Sequence, residues 1–103
     1  MEIIPLLAVE RQSLSVLLED TLYAIEVKEC NGIMAVTISA DDQTLVEGRR
    51  AAAMVPVIPP GPRESGNFVF STMNGDLPYW DQFGAGQQFL YLTAGEIEEL
   101  RNA

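Results

Sequence analysis

The stretch LYAIEVKECNGIMAVTISA, Leu22 to Ala40, decides the fold. Tyr23, Ile25 and Val27 alternate with Ala24, Glu26 and Lys28. A period of two is that of a strand with one buried face; a helix would bring its apolar residues round every third or fourth position. Asn31-Gly32 comes next, and both residue types tolerate the positive φ that a type I′ hairpin turn needs at its two central positions. Alternation then resumes, with Met34, Val36 and Ile38 opposed to Ala35, Thr37 and Ser39. The segment reads as a β-hairpin.

Strand signals spread outward from it. Upstream, Ser13 to Leu18 is a short strand, and Glu19-Asp20-Thr21 is the turn that joins it to the hairpin. Downstream, Asp41-Asp42-Gln43 turns the chain into a further strand over Thr44 to Glu47. Connections this short place neighbours antiparallel, so these runs form a meander. Residues 1–12 make an apolar N-terminal arm in which Pro5, lacking a donor, suits an edge strand or extended chain. Residues 48–66 hold four of the six prolines, densest in VIPPGP, and read as a long loop. Within it AAAMV fits a helical turn or a strand equally. Asn67 to Met73 and Gln88 to Leu92 are the remaining strands. Between them lie the turn Asn74-Gly75-Asp76 and an aromatic loop, Leu77 to Phe83, opened by Pro78. Thr93 and Glu96 have the spacing of a capping box, with Leu92 and Ile97 placed as a hydrophobic staple, so a short helix occupies the tail, 93–103. The expected fold is a single all-β domain: an antiparallel meander or partly open barrel of about six strands, with a short C-terminal helix.

Composition removes most chemistry. The chain of 103 residues has fifteen acids against six bases, a formal net charge of −9, one cysteine and no histidine. That charge repels nucleic-acid phosphates and anionic membrane surfaces. Without His there is no usual general base at neutral pH and no His-dependent triad, and Cys30 alone builds neither a disulfide framework nor a thiolate metal site. No apolar run approaches the ~20 residues that span a bilayer. A cytoplasmic folding compartment fits.

The candidate sites are few. Asp76 and Asp81 flank Tyr79 and Trp80, an arrangement that could suit paired carboxylates on a sugar bond; as a turn residue and a solvated acid they need no chemistry. Tyr79 and Trp80 could be core, a protein interface or a sugar platform. Arg49-Arg50 are either a surface pair or a contact for an acidic neighbour. Asp41-Asp42 lack the spacing of a calcium loop. Ser13, Ser15, Ser39 and Ser65 have no base to activate them. No cofactor motif is present, and an enzyme is not expected.

The succession of elements resembles the small baseplate plug proteins of tailed bacteriophages, described in a cyanophage. The resemblance is carried by Ile4-Pro5-Leu6, Gln12 before a strand, the acidic turn Glu19-Asp20, and Leu22-Tyr23-Ala24-Ile25. It continues through Ala35-Val36-Thr37-Ile38, Asp41-Asp42 and Leu45-Val46-Glu47-Gly48. It closes with Phe68-Val69-Phe70, Asn74-Gly75-Asp76, Pro78 through Phe83-Gly84, and Leu90-Tyr91-Leu92. Two departures stand out: Met34 or Ala35 where that family carries Trp, and VPVIPPGP where it carries an Asp-Leu-Leu element. The resemblance implies a virion structural protein, without cofactor, in the tail baseplate and assembled in the host cytoplasm. It would pack against the hub and the end of the tail tube and help close the channel. Its partners would be the hub, the tail tube and neighbouring baseplate proteins, with the tape measure protein a further candidate, and its copies would be arranged around the tail axis. The expected contacts are Ile4, Pro5 and Leu6 on the arm, Arg49, Arg50, Pro59, Pro60 and Pro62 on the loop, and Tyr79, Trp80 and Phe83. The alternative is a small sugar- or peptide-binding β module.

Overall fold

The computed structural model describes residues 1–59 and 66–102. Its largest unit is a meander of four antiparallel strands: β2 (Arg11–Leu18), β3 (Thr21–Cys30), β4 (Ile33–Ala40) and β5 (Gln43–Arg50). Each of its three turns has two residues, and in each both take positive φ: Glu19 at 49° and Asp20 at 65°, Asn31 at 52° and Gly32 at 86°, Asp41 at 48° and Asp42 at 69°. This is the geometry whose twist matches that of the flanking strands. Asn-Gly announces it; Glu-Asp and Asp-Asp do not. Asp41 gains local support, because its Oδ1 accepts a 3.4 Å bond from the Leu22 amide.

The alternation read in Leu22–Ala40 sorts the side chains as expected. Tyr23, Ile25, Val27, Met34, Val36 and Ile38 are buried. Their partners across the pleat, Ala24 and Ser39 among them, form the outer face. β5 is longer than the four residues expected of it, and irregular. Val36 faces Arg49 while Ile38 faces Val46, so β5 takes three steps where β4 takes two. Gly48 absorbs the extra residue at φ 61°, and its amide donates 2.9 Å to Thr37 Oγ1. Arg49 and Arg50 therefore lie on a strand, not in the loop.

Residues 51–58 turn a corner. The Ala51 amide still bonds the Met34 carbonyl at 2.8 Å; then the Met54 and Val57 amides bond Phe70 and Phe68 carbonyls in a second sheet, at 2.8 and 2.9 Å. AAAMV is thus neither helix nor regular strand. The second sheet has the order β1 (Glu2–Ile4), β7 (Gln88–Thr93), β6 (Gly66–Ser71), all antiparallel. Its inner face carries Phe68, Phe70, Phe89 and Tyr91, and Ile4 pairs with Phe89. These rings meet Tyr23 of the first sheet, Tyr23–Phe68 edge to face at 5.3 Å and Tyr23–Tyr91 tilted at 5.9 Å, and Phe70 and Phe89 meet each other at 4.6 Å. Each such side chain, fully buried, contributes about 1.5–3 kcal/mol.

The capping box forms as read. Thr93 Oγ1 accepts from the Glu96 amide and Glu96 Oε1 accepts from the Thr93 amide, opening α1 (Ala94–Arg101). Ile97 and Leu100 cover the outer face of the second sheet at Val69, Leu90 and Leu92. The two sheets face each other without closing a barrel. The corner at 51–58 joins one side; on the other side, β1 and β2 are both outermost strands, linked by the arm residues between them.

Candidate docking surface

Three segments leave the sheets, and a side-chain amide holds each one. Gln12, near the start of β2, grips the arm: its Oε1 accepts from the Leu7 amide at 2.9 Å and its Nε2 donates to the Leu7 carbonyl at 2.8 Å. Asn67, near the start of β6, grips the proline-rich segment. Its Oδ1 accepts from the Ile58 amide and its Nδ2 donates to the Ile58 carbonyl, at 2.8 and 2.7 Å, and the side chain has no exposure at all. Gln87, just before β7, grips the aromatic loop, accepting from the Tyr79 amide at 2.8 Å and donating to the Leu77 carbonyl at 3.2 Å. Each amide supplies the donor and acceptor that a neighbouring strand would otherwise supply, which lets irregular backbone lie against a sheet.

The grips decide what the segments expose. The arm leaves Leu7 69% exposed and Ile3 58%, whereas Ile4 is buried in the core, Leu6 is half-buried and Pro5 exposed. In the aromatic loop, Phe83 packs inward on Phe70 with centroids 5.8 Å apart. Tyr79 and Trp80 are half-buried, one side of each against the main core. Trp80 begins a single 3-10 turn, Trp80–Gln82. The Tyr79 hydroxyl donates 3.3 Å to Glu29 Oε2, tying the loop to the Asn31-Gly32 hairpin end. The two rings are tilted 41° to one another with centroids 6.0 Å apart. Leu77 of this loop is exposed, as is Met73 in the turn before it. Arm and aromatic loop adjoin: Ile3 to Leu6 and Phe83, Gly84 and Gln87 line one shared depression.

The other expected contacts fall elsewhere. Arg49 is half-buried and Arg50 exposed on β5. Met54, Val55 and Pro56 lie beside Arg49, Leu100 and Arg101 near the helix, away from the arm. Pro59 is exposed; Pro60 and Pro62, with Ser65, lie outside the described residues. Asp76 and Asp81 are both exposed. Gln12 was legible only as part of a familiar pattern, and Asn67 and Gln87 were missed. Their one shared feature is an amide at the start of a strand, just after a glycine.

Charge is divided along the meander. Glu19-Asp20 and Asp41-Asp42 put four acids at one end, joined by a 3.1 Å bond from the Asp41 amide to the Leu22 carbonyl. At the other end Arg11, Lys28, Ala35 and Arg50 stand in one cross-strand row. Among the described residues two groups titrate away from their ordinary values. Burial, then the hydrogen bond to Glu19, pushes the Tyr91 hydroxyl well above the usual tyrosine range. Hydrogen bonds from the Met1 ammonium and the Thr93 amide hold Glu96 below the usual carboxylate range.

No curated protein matches the chain. A family model described as cyanophage baseplate Pam3 plug gp18 matches residues 1–95. The match spans the arm, both sheets and the aromatic loop, and stops at the first turn of α1, so the helix lies beyond it. Membership carries a structural role in the phage tail baseplate, in association with other baseplate proteins. An all-β body with pinned, partly apolar loops and a familiar order of elements thus has its place: the chain belongs to the cyanophage baseplate Pam3 plug gp18 family.

Proposed function

We propose that this protein is a passive plug: it packs against the baseplate hub and the end of the tail tube and helps close the channel, without catalysis. The observation that supports this reading is the pinning of the arm and aromatic loop. Leu7 and Leu77 are exposed, yet the backbones beside them are already fixed by Gln12 and Gln87. Apolar groups presented on ordered loops lose less entropy on docking than groups on floppy ones, which favours binding. Repetition of the chain around the tail axis multiplies modest contacts. Assembly takes place in the host cytoplasm, where a lone Cys30 stays reduced. The proline-rich segment and Arg49-Arg50 make a second, separate contact.

A cryo-EM map of intact particles tests the reading. The chain is expected at the tail tip, with the arm and the Tyr79-Trp80 loop covered by neighbouring chains. Finding it elsewhere in the particle, or finding both segments facing solvent there, overturns it.

A further inference from the structure

Two of the four asparagines precede a glycine, in Asn31-Gly32 and Asn74-Gly75. Both pairs are exposed and share left-handed backbone, with φ of 52° and 86° in the first and 56° and 71° in the second. An asparagine before glycine is open to loss of its side-chain amide, because no Cβ shields the next backbone nitrogen from the side-chain carbonyl carbon. Sequence alone ranks the two pairs equal; their surroundings do not.

Closing a ring needs the asparagine side chain and the next nitrogen on the same side of the Cα–C bond. At ψ 23° Asn74 holds them on opposite sides, so its turn has to open first. Little resists that opening. The Asp76 amide bonds the Met73 carbonyl at 3.0 Å and the Thr72 hydroxyl bonds the Asp76 carbonyl at 2.8 Å, both in an exposed turn. Among the described residues no side chain accepts from the Gly75 amide. Asn31 is held twice over. Its turn is clamped by the cross-strand pair Cys30 and Ile33. The Gly32 amide also donates 2.8 Å to Glu29 Oε2, the oxygen that the Tyr79 hydroxyl bonds at 3.3 Å. The proton that must leave is therefore bound, and the nitrogen anion left behind would face a carboxylate.

We propose that Asn74 is the site at which this chain deamidates spontaneously, and that Glu29 protects Asn31 from the same reaction. Hydroxide takes the Gly75 N–H proton, and the nitrogen attacks Asn74 Cγ to form a new C–N bond. The bond from Cγ to the side-chain nitrogen breaks, and ammonia leaves with a proton from water. Water then adds to either carbonyl of the cyclic imide and opens it, leaving aspartate or isoaspartate; nothing is oxidised or reduced. The new carboxylate falls between the exposed Met73 and Leu77, beside the aromatic loop. The chemistry belongs to the isolated chain and does not depend on what that loop docks against.

The test incubates the folded full chain at mildly alkaline pH and then cleaves it after Lys and Arg. Asn31 lies on the peptide Glu29–Arg49 and Asn74 on Glu64–Arg101, so mass spectrometry with fragmentation follows each site separately. Asn74 is expected to convert about tenfold faster than Asn31, the factor that one hydrogen bond to a charged group is worth. In urea, where neither turn persists, the two rates should converge. Glu29→Ala is expected to raise the Asn31 rate about tenfold and leave the Asn74 rate unchanged; a variant that had merely unfolded would change both. Asn74 converting no faster than Asn31 in the folded parent, or an Asn31 rate indifferent to Glu29→Ala, overturns the proposal. A contrast that persists in urea overturns it too, by tracing the difference to sequence neighbours.

Discussion

The Tyr91 hydroxyl donates a 2.6 Å hydrogen bond to Glu19 Oε2, spanning 72 residues of sequence and the space between the two sheets. Glu19 sits at positive φ in the first turn of the meander, and Tyr91 is 2% exposed in the second sheet. One bond therefore ties a turn to the core. Because Glu19 stays solvated, Tyr91→Phe is expected to cost only about 1 kcal/mol in urea denaturation at neutral pH.

The same bond gives an alkaline signature. The folded chain keeps Tyr91 protonated where the unfolded chain has begun to lose its proton. The contribution is whole below about pH 10 and drains away as pH climbs beyond it. Denaturation midpoints of the parent should fall faster above that pH than those of Tyr91→Phe. Parallel curves would count against it.

Tyr91 also explains Gly66. A Cβ built there lands on the Tyr91 ring at Cζ and its hydroxyl. Gly66→Ala must move a ring that packs at an angle against Tyr23 and Phe68, so a loss of about 1–3 kcal/mol is expected. In a double-mutant cycle with Tyr91→Ala, the two losses should fall short of additivity.

The amide grips differ in burial, and so should their removal. Asn67→Ala strands the Ile58 N–H and C=O inside the protein, at a cost of about 2–4 kcal/mol. Gln12→Ala exposes its partners to water and should cost under ~1 kcal/mol, yet raise hydrogen exchange at Leu7. Equal losses at the two sites would show that burial does not set the cost.

The acidic turns are strained. Asp42 at φ 69° is a residue that glycine would replace without penalty. Asp42→Gly should raise stability by about 0.5–1 kcal/mol, because a side chain in the left-handed region costs about 1–2 kcal/mol and aspartate somewhat less. A drop would mean that the carboxylate does more there than the geometry shows.

At the helix, Thr93→Ala removes the cap and should cost about 1 kcal/mol. Glu96 titrates lower in the folded chain than in the unfolded one. Its contribution is complete at neutral pH and is lost as pH falls through its folded value, below the ordinary carboxylate range. Helix signals followed by NMR on acidification should show α1 fraying before the sheets melt.

The meander was legible because strands of this kind are local. Leu22–Ala40 alternates residue by residue, and Asn31-Gly32 is the residue pair that its turn needs. The capping box was legible for the same reason. The second sheet was not: it joins residues 2–4 to 88–93, and pairing at that distance leaves no periodic trace. The strand read over Asn67–Met73 ends at Ser71, because Met73–Gly75 closes into a 3-10 turn with Asn74 at φ 56°. In the candidate site, Ile4 and Phe83 looked like contact residues because they are apolar and lie in exposed-looking segments. Sheet packing turns both inward. Asn67 and Gln87 gave little sign, since an amide reads the same on a surface as in a buried grip.

By itself the sequence determined where the chain is extended, where it turns and where its C-terminal helix begins, since each of these depends on residues within a few positions of one another. It also ruled out His-dependent chemistry, by composition. Only the tertiary structure decided which apolar residues are core and which remain outside, that β1 joins β7, and that β2 is an outermost strand of its sheet. Those outcomes follow from the stacking of two sheets, and stacking is settled by contacts between residues that the sequence holds far apart.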